Sequence, residues 1–361
     1  MMHKLIRTMV GHTVADHLLY RRHHRWLLRH LGLPNRKAPG EQAYIDKWRQ
    51  LAPCVEPYSY RLFSHYCGPN PDIIPEDIMH RVVETGLNPP DYWPAYEDKN
   101  LFSRFLPAGM LPQTVLMRIA GGPILSADYT TASVADTLAS CSFPALILKP
   151  SVGTSCGDGI RRFDRTDGRY VDNRGTVLTE RLLLGSGPDI VLQQAVEQHP
   201  FMQQFCTSAL STLRLVAYRS VNDNLPHVTA AILRVGREGS IVDNISAGGR
   251  FVGVDIDTGR LGTEFIGRYG DRSPQWNGTD LAARRLTVPA WDDIRALALQ
   301  VAARIPHHRL LALDIALDTS GTPILVEYNI GGFTTYFFHF TGQTVLGPYT
   351  DEVIGELRRA K

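Results

Sequence analysis

Two carboxylates and an amide occupy matching positions of a predicted β-hairpin near the end of the chain. If the turn of this hairpin is centred between residues 320 and 321, Asp314 on the first strand lies directly opposite Glu327 on the second. Asn329 follows two residues later, so it points to the same face of its strand. The three side chains are therefore predicted to converge on one face of the hairpin.

Oxygen-bearing side chains in this arrangement predict a metal site. Two opposed carboxylates repel each other unless one is protonated or a cation lies between them. Carboxylate and amide oxygens suit Mg²⁺, or Mn²⁺, and such a site usually shares the ion with substrate phosphates. The alternative is a surface hairpin with an accidental acidic pair, but its flanking residues are apolar. The same alternation predicts that Leu325 shares the face of Glu327 and that Val326 lies on the packed face.

A lysine and a loop of small residues could hold the phosphates. Lys149 ends a predicted buried strand, and residues 151–159 follow as a loop. Small residues let backbone N–H groups approach an anion, and a lysine beside them supplies a point charge. The sequence has neither a GxxxxGK[ST] nor a GxGxxG motif, and a solvated hairpin loop is the alternative interpretation. The candidate phosphate contacts are Lys149, Ser151, Gly153, Thr154, Ser155, Gly157 and Gly159.

The elements that must position these groups are mostly short strands. Apolar alternation predicts antiparallel pairs in the middle of the chain, and a 3.6-residue period predicts a helix over Trp291–Arg304. A doubly wound parallel sheet is not expected, because strands rather than alternating helices dominate. The predicted strands are 145–149, 160–163, 190–194, 213–219, 227–235, 249–255, 310–317 and 323–328.

Short motifs follow one another in a fixed order along the chain. They are Lys149-Pro150 with Gly153, Gly157 and Gly159; Gln193 with His199-Pro200; Ser211–Arg214; Leu233–Gly236; Val242–Asn244 with Gly248-Gly249; Asp314–Ala316; and Glu327–Asn329. No piece is specific alone, but the ordered set resembles the ATP-grasp superfamily, and within it the sugar-transfer-associated ATP-grasp family. The resemblance spans about residues 95–350, and residues 1–90 are only weakly covered.

The resemblance implies an α+β fold in which two α+β lobes clamp ATP, one of them a small lid that carries Lys149 and its loop. It implies ATP and Mg²⁺ as cofactors, since members mostly activate a carboxylate as an acylphosphate that an amine or another nucleophile attacks. By position, Lys149 would hold the α- and β-phosphates. Gln193, Val196 and Glu197 would form the lid-to-core hinge, where backbone groups meet adenine and Glu197 meets the ribose.

The resemblance also implies roles for residues outside the lid. Lys99 corresponds to an earlier phosphate-binding lysine, with a solvated side chain as the alternative. Arg214 and Arg234 would be catalytic, neutralising charge on the γ-phosphate and the acylphosphate, with surface ion pairs as the alternative. Asp243 and Asn244 would either contact the substrate or form a turn.

Two positions depart from the family pattern. Ser273-Pro274 stands where a His-Pro pair is expected, and Ser211 stands where the pattern has Asn. Both positions lie on the expected acceptor side, so they leave the identity of the acceptor open.

Composition is that of a folded protein with more than one lobe. The 361 residues are 43% hydrophobic and 20% charged, which excludes disordered and fibrous classes. The formal net charge is +2, which argues neither for nor against nucleic acid, and no motif predicts such a partner. Five cysteines without a CxxC pair indicate reduced thiols, and no apolar run is long enough to cross a membrane. A cytoplasmic protein is expected.

The predicted organisation has four segments. Residues 1–94 form a mostly helical N-terminal region, 95–144 the first part of the ATP-grasp core, 145–194 the lid, and 195–361 the C-terminal lobe with the metal site. Residues 1–33 read as a basic helix with six histidines. This helix either packs on the fold or makes weak peripheral contact with an anionic membrane surface, such as the inner membrane.

The expected function is an ATP- and Mg²⁺-dependent ligase that joins a small-molecule carboxylate to an amine or sugar acceptor. Modification of a cell-surface sugar or a related metabolite is suggested by the family name alone. Two alternatives stay open. The first is a kinase that phosphorylates a small-molecule hydroxyl, and the second is a nucleotide-binding regulatory module without turnover.

Overall fold

The computed structural model describes residues 12–153, 159–240, 243–332 and 334–359. Within these residues the chain forms two large antiparallel sheets, a two-stranded ribbon and the helices that cover them. Three of the predicted phosphate contacts, Thr154, Ser155 and Gly157, lie outside the described residues.

The helices concentrate at the N-terminus and at the end of the chain. The α-helices are α1 His12–His30, α2 Glu41–Arg49, α3 Tyr58–Cys67, α4 Glu76–Ile78, α5 Glu84–Leu87, α6 Trp93–Glu97, α7 Phe102–Phe105, α8 Val134–Ser140, α9 Glu180–Gly185, α10 Pro200–Gln203, α11 Trp291–Arg304, α12 Tyr336–Phe340 and α13 Thr350–Arg359. A π-helical turn, Met79–Val83, joins α4 to α5, and short 3₁₀ turns lie at Pro90–Tyr92, Lys99–Leu101, Ile245–Ala247 and Gly347–Tyr349. The helix predicted over Trp291–Arg304 is confirmed with the same bounds.

The first sheet carries the predicted phosphate-binding lysine. Its strands are β1 Thr114–Arg118, β2 Ile124–Leu125, β3 Ala145–Pro150, β4 Arg161–Thr166, β5 Arg169–Asp172 and β6 Ile190–Gln194, in the order β2-β1-β6-β3-β4-β5. Leu146, Leu148 and Phe163 are buried on one face, where α8 and α9 add Val134 and Leu183. The sheet takes strands from 114–125 as well as from 145–194, and the division of the chain into four segments stays a prediction.

The second sheet carries the predicted metal hairpin. Its strands are β7 Thr212–Arg219, β8 Pro226–Val235, β9 Arg250–Gly253, β10 Phe265–Ile266, β11 Arg272–Ser273, β14 Leu310–Leu317 and β15 Pro323–Asn329, in the order β11-β10-β9-β8-β7-β14-β15. The ribbon consists of β12 Gln275–Trp276 and β13 Thr279–Asp280. Every residue of β14 is buried, because the strand is central and both of its faces are covered. The predicted antiparallel, mixed α+β architecture is confirmed.

The two faces of the second sheet pack on different helices. On one face, Leu313 and Ile315 contact a core that includes Ile294 and Leu297 of α11. On the other face, Leu310 and Ala312 pack in a core with residues of the N-terminal helices. The N-terminal helical region is therefore built onto this sheet and does not stand apart from it.

Helix α1 packs on the fold through its apolar side. Leu27 and Leu28 are fully buried, while its four arginines are exposed. Buried His24 contacts Glu56 at 2.8 Å, and His17 contacts Asp77 at 2.8 Å. This agrees with the packing alternative, and contact with a membrane surface stays a prediction. No described helix is both long enough and apolar enough to cross a membrane.

The register of the β14–β15 hairpin is confirmed at its functional end. Asp314 pairs with Glu327, as the turn position predicted. A β-bulge then shifts the pairing by one residue, so Ile315 pairs with Leu325 and Val326 is the extra residue. Because a one-residue shift reverses the face, Leu325 is fully buried in the core and Val326 lines a cavity. The predicted faces of Leu325 and Val326 were therefore wrong.

Candidate active site

A cavity of about 610 Å³ lies between the two sheets. Its size is that of a pocket for a small-molecule ligand. Charged and polar side chains from both sheets line it, together with the chain that follows β15. The predicted site residues among them are Lys99, Lys149, Gly153, Arg214, Arg234, Asp243, Asn244, Asp314, Glu327 and Asn329. The structure thus brings together the lysines, arginines and acids that the sequence analysis singled out separately.

Two arginines hold Asp314. The strands β7 and β14 pair Arg214 directly with Asp314, and the guanidinium binds both carboxylate oxygens, with Nε–Oδ1 at 2.7 Å and Nη2–Oδ2 at 2.6 Å. Arg234 Nη1 reaches Oδ2 of Asp314 at 2.8 Å. Burial would raise the pKa of Asp314, but the two arginines outweigh it and lower that pKa. Asp314 is therefore ionised at neutral pH.

Arg234 also binds a second acid. Its Nη2 donates to Asp243 Oδ1 at 2.9 Å, and the Thr212 hydroxyl donates to the other Asp243 oxygen. Burial raises the pKa of Asp243, and Arg234 opposes that rise. The next residue, Asn244, caps the 3₁₀ turn that follows, with Oδ1 accepting from Ser246 N at 2.9 Å. Asn244 thus forms the turn that the sequence suggested as one alternative, and it also lines the cavity.

Lys99 neutralises Glu327. Its Nζ lies 2.8 Å from Glu327 Oε1, and its side chain is only 7% exposed. The backbone N–H of Lys99 donates to the carbonyl oxygen of Ser151 at 3.0 Å, which joins the start of the glycine-containing loop to the 3₁₀ turn that carries Lys99. The repulsion expected between Asp314 and Glu327 is therefore offset by cations that the protein itself supplies.

Lys149 is buried without a carboxylate within 4 Å among the described residues. Burial, together with nearby Lys99, lowers its pKa to about 8, and Glu327 opposes the shift. The hydroxyl of Ser151 is also buried without a hydrogen-bond partner in the described structure. Gly159 has a φ of +75°, and a Cβ there would lie 3.0 Å from Pro150, so a side chain would strain the return of the loop.

The hairpin residues fit a hard divalent cation. Asp314, Glu327 and Asn329 offer oxygen ligands on one wall of the cavity, and the Asn329 amide nitrogen points back to Ala312 O at 3.4 Å. Within the described residues, no cluster of three or more His, Cys, Asp or Glu side chains is placed to hold a metal. Carboxylate and amide oxygens suit an ion such as Mg²⁺, which keeps water and phosphate oxygens as its other ligands.

The predicted adenine hinge lies away from this group. Gln193 is buried in β6, paired with β1 and β3, and its amide donates to Thr114 Oγ1 at 3.3 Å. Val196 is half-buried and Glu197 is exposed. None of the three is among the described residues that line the cavity, and their contact with a nucleotide stays a prediction.

The sequence analysis missed a brace that holds one rim of the cavity. The imidazole of His80 lies between Glu76 (3.2 Å) and Glu84 (2.8 Å), and burial cannot offset these two acids, so its pKa rises to about 10. Glu84 accepts from Gly332 N at 2.9 Å, and Glu76 accepts from the backbone and hydroxyl of Thr335. The Glu-x₃-His-x₃-Glu spacing of 76, 80 and 84 was the available signal.

A comparison with models of protein families identifies the family of this chain. The profile of the family described as sugar-transfer associated ATP-grasp matches residues 79–353, about three quarters of the chain. The chain belongs to the sugar-transfer associated ATP-grasp family. The match begins within the His80 brace and includes both sheets and every predicted site residue. The resemblance drawn from the motif order is thereby confirmed. A comparison with curated protein sequences finds no match.

Solved structures of ATP-grasp proteins are distantly similar to this family member. D-cycloserine synthetase shares 14% identity over 76% of this chain and 73% of its own, with a TM-score of 0.41. The ATP-grasp ligase PsnB, complexed with minimal precursor, Mg and ADP, shares 14% identity over 76% of this chain and 62% of its own, with a TM-score of 0.42. The chain thus spans less than two thirds of that ligase. D-alanyl-alanine synthetase A from Vibrio cholerae shares 13% identity over 73% of this chain and 64% of its own, with a TM-score of 0.37.

Proposed function

We propose that this protein is an ATP- and Mg²⁺-dependent ligase that joins a carboxylate to an amine or a similar nucleophile through an acylphosphate. One observation carries the proposal. Four cationic side chains, Lys99, Lys149, Arg214 and Arg234, line the same cavity as the oxygen ligands of the β14–β15 hairpin. Phosphoryl transfer depends mainly on positioning and on neutralising charge, and this cavity supplies both.

The cations are assigned different roles in this proposal, according to the groups that surround each of them. Lys149 has no carboxylate within 4 Å among the described residues, so it suits the phosphates of ATP as their counter-charge. Arg214 and Arg234 are held rigidly by Asp314 and Asp243, and they present a fixed positive wall for the oxygens of the transferring group. Asp314, Glu327 and Asn329 would hold Mg²⁺. When bound, that ion would neutralise negative charge on the phosphates.

The proposed reaction has two steps. A carboxylate oxygen of the first substrate attacks the γ-phosphorus, the bond to the bridging oxygen breaks, and ADP leaves with the electron pair. The amine nitrogen of the second substrate then attacks the acyl carbon, loses a proton, and displaces inorganic phosphate. In both steps the developing negative charge lies on phosphate oxygens, where Arg214 and Arg234 can stabilise it.

The setting of the reaction is also a proposal. The family name supports a substrate connected with sugar transfer, such as a cell-surface sugar or a related metabolite. The substrates proposed are small molecules, and no nucleic acid is among the proposed partners. A cytoplasmic location follows from the proposal that ATP is consumed and from the reduced cysteines expected from the sequence. The complete hairpin set favours turnover over a regulatory module, which does not need three metal ligands.

The products of ATP consumption test the proposal. Purified protein with Mg·ATP, a panel of carboxylic acids and a panel of amines should release ADP and inorganic phosphate in equal amounts, and only when both an acid and an amine are present. ADP with a phosphorylated product and no free phosphate would identify a kinase instead. AMP with pyrophosphate would contradict both and indicate an adenylating enzyme.

A further inference from the structure

Five cations line the cavity, and two of them have no carboxylate within 4 Å among the described residues. Lys99 pairs with Glu327, and Arg214 and Arg234 pair with acids of their own sheet. Lys149 and Arg268 do not. The phosphates of ATP account for Lys149 in the proposed function. Arg268 has no such explanation, although it faces the same cavity.

The two cations lie in different surroundings. Lys149 is buried, and it interacts electrostatically with Lys99 and Glu327. Arg268 is exposed beside Tyr336, whose pKa burial raises to about 12 while the guanidinium opposes that rise. Arg268 also lies over the ring of Tyr269, with 5.5 Å from Cζ to the ring centroid. The two cations therefore differ in burial, since Lys149 is enclosed by protein and Arg268 is exposed.

The turn that carries Arg268 is rigidly built. It joins β10 to β11, with Gly267 N donating to Asp271 O at 2.8 Å and Gly270 N donating to Gly267 O at 3.0 Å. Gly270 has a φ of +87°, and a Cβ there would lie 2.5 Å from Phe340, so only glycine closes the turn at this distance. The backbone therefore presents Arg268 in one place.

The acids that are nearest to Arg268 in sequence are engaged elsewhere. Asp271 pairs with Arg250 at 2.7 Å, and Glu264 pairs with Arg272 at 2.9 Å. Each of these carboxylates is therefore paired with an arginine other than Arg268. A guanidinium that faces a cavity without an internal counter-ion is suited to bind an anionic group of a ligand.

We infer that Arg268 binds an anionic group, a carboxylate or a phosphate, of the substrate that reacts in this cavity. The inference rests on the proposed function, because it assigns Lys149 to the phosphates of ATP. Tyr336 and Ser246, which also line the cavity, offer hydroxyl groups to the same ligand. The substrate class is thereby narrowed to molecules with an anionic group apart from the reacting atoms.

The test measures binding of three probes that share a hexose ring. Glucuronate carries a carboxylate, glucose 6-phosphate carries a phosphate, and glucose is the neutral parent. Full-length protein is first saturated with Mg·AMP-PNP, and each probe is then titrated by calorimetry. At least one anionic probe should bind about tenfold or more tightly than glucose, because hydrogen bonds between a guanidinium and an anion are stronger than those between neutral groups. Whichever probe binds identifies the anion as a carboxylate or a phosphate.

Variants decide whether Arg268 is responsible. Arg268→Gln should abolish the preference for the anionic probe, and Arg268→Lys should keep part of it. Arg285→Gln, which changes an exposed arginine outside the cavity lining, should behave like the unmodified protein. Equal binding of all three probes to the unmodified protein, or an anion preference that survives in Arg268→Gln, would overturn the inference.

The same titrations separate this inference from the proposed function. If AMP-PNP does not bind, the proposed function fails, and the probes are titrated into the nucleotide-free Lys149→Met variant, where the other unpaired cation is gone. An Arg268-dependent anion preference there would keep the anion site and reject the ligase. Thermal unfolding of each variant confirms that it is folded, which is expected because Arg268 is exposed.

Discussion

One face of the second sheet has two halves with opposite chemistry. Along β7 it changes from Val216 to Arg214, and along β8 from Ile232 to Arg234, while the paired strand β14 changes from Ala312 to Asp314. The apolar half packs under the N-terminal helices, and the charged half faces the cavity and the first sheet.

This difference shows which features of a strand can be predicted from the alternation of its side chains and which cannot. Alternation assigns residues to a face, because side chains point to opposite sides in turn. It does not say what covers that face. Arg214 and Asp314 lie directly opposite each other, but the residue beside Arg214 on β8 is the apolar Ile232, and Arg234 lies opposite Thr212. The boundary between the two halves is therefore displaced by two residues on β8. Substitutions in the charged half should therefore mainly lower turnover, and substitutions in the apolar half should mainly lower the free energy of unfolding.

The largest expected effect lies in the charged half. Glu327→Gln should lower ATP turnover at least about a hundredfold, because it removes one charged ligand from the proposed metal site. The free energy of unfolding should change by less than about 1 kcal/mol, since Glu327 is partly exposed and the glutamine can still accept from Lys99. ADP release and thermal unfolding are the measurements. Glu264→Gln, a paired glutamate outside the cavity lining, serves as the control. Full turnover in Glu327→Gln would show that the carboxylate is structural.

The apolar half should respond in the opposite way. Ile232→Ala should lower the free energy of unfolding by about 2–4 kcal/mol, because Ile232 is fully buried under the N-terminal helices and the cavity left behind is not refilled. Turnover per folded molecule should stay within about threefold, a difference of roughly 0.7 kcal/mol. Denaturant unfolding and ADP release are compared at the same temperature. A large loss of turnover with unchanged stability would contradict the division of the face.

The His80 brace holds the chain after β15 in place, and its contribution to stability should depend on pH. The pKa of His80 is about 10 in the folded protein and about 6.5 when unfolded, so its stabilising effect is full below pH 6.5 and is lost as the pH rises toward 10. His80→Gln should lower stability by about 2–3 kcal/mol at pH 6 and flatten the pH dependence. Unfolding is followed from pH 6 to pH 10, with exposed His65→Gln as the control. An unchanged pH profile in His80→Gln would mean that the brace does not hold a proton.

The contribution of Lys149 to stability should change with pH in the opposite direction to that of His80. Its pKa is lowered from 10.5 to about 8, so the unfolded chain binds more protons between these values and its contribution to stability rises with pH there. Lys149→Met should stabilise the nucleotide-free protein by about 1–3 kcal/mol at pH 7 and weaken AMP-PNP binding about ten- to hundredfold. Lys47→Met, which removes a lysine paired with Asp72 and Asp351, should destabilise instead. Equal losses of stability in both variants would refute the contrast.

The smallest effect is expected outside both halves. The exposed arginines of α1 carry charge, but the helix is already packed through Leu27 and Leu28. Co-sedimentation with anionic vesicles should therefore be weak at low salt and absent at about 0.15 M salt, where the Debye length is roughly 8 Å. Replacing Arg22 and Arg29 by Gln should change nothing measurable. Strong, arginine-dependent binding would support the membrane alternative for this helix.

The local chemistry of the site was readable in the sequence. Strict alternation and a short polar turn defined the β14–β15 hairpin, and hydrogen-bonding register then required Asp314 to oppose Glu327. The order of short motifs along the chain was enough to indicate the family. Lys149 was predicted from its place between a strand and a loop of small residues. These features depend on neighbours a few residues apart.

The remaining features depended on contacts between residues distant in sequence. The bulge that exchanges Leu325 and Val326 leaves no mark in the alternation, because packing against the core decides which residue is left unpaired. The pairing of Lys99 with Glu327 joins residues 228 positions apart, and the pairing of Arg234 with Asp314 joins residues 80 positions apart. Sequence determined which charges the chain carries. Only the tertiary structure decided which of them neutralise one another and which, such as Lys149 and Arg268, are left facing the cavity.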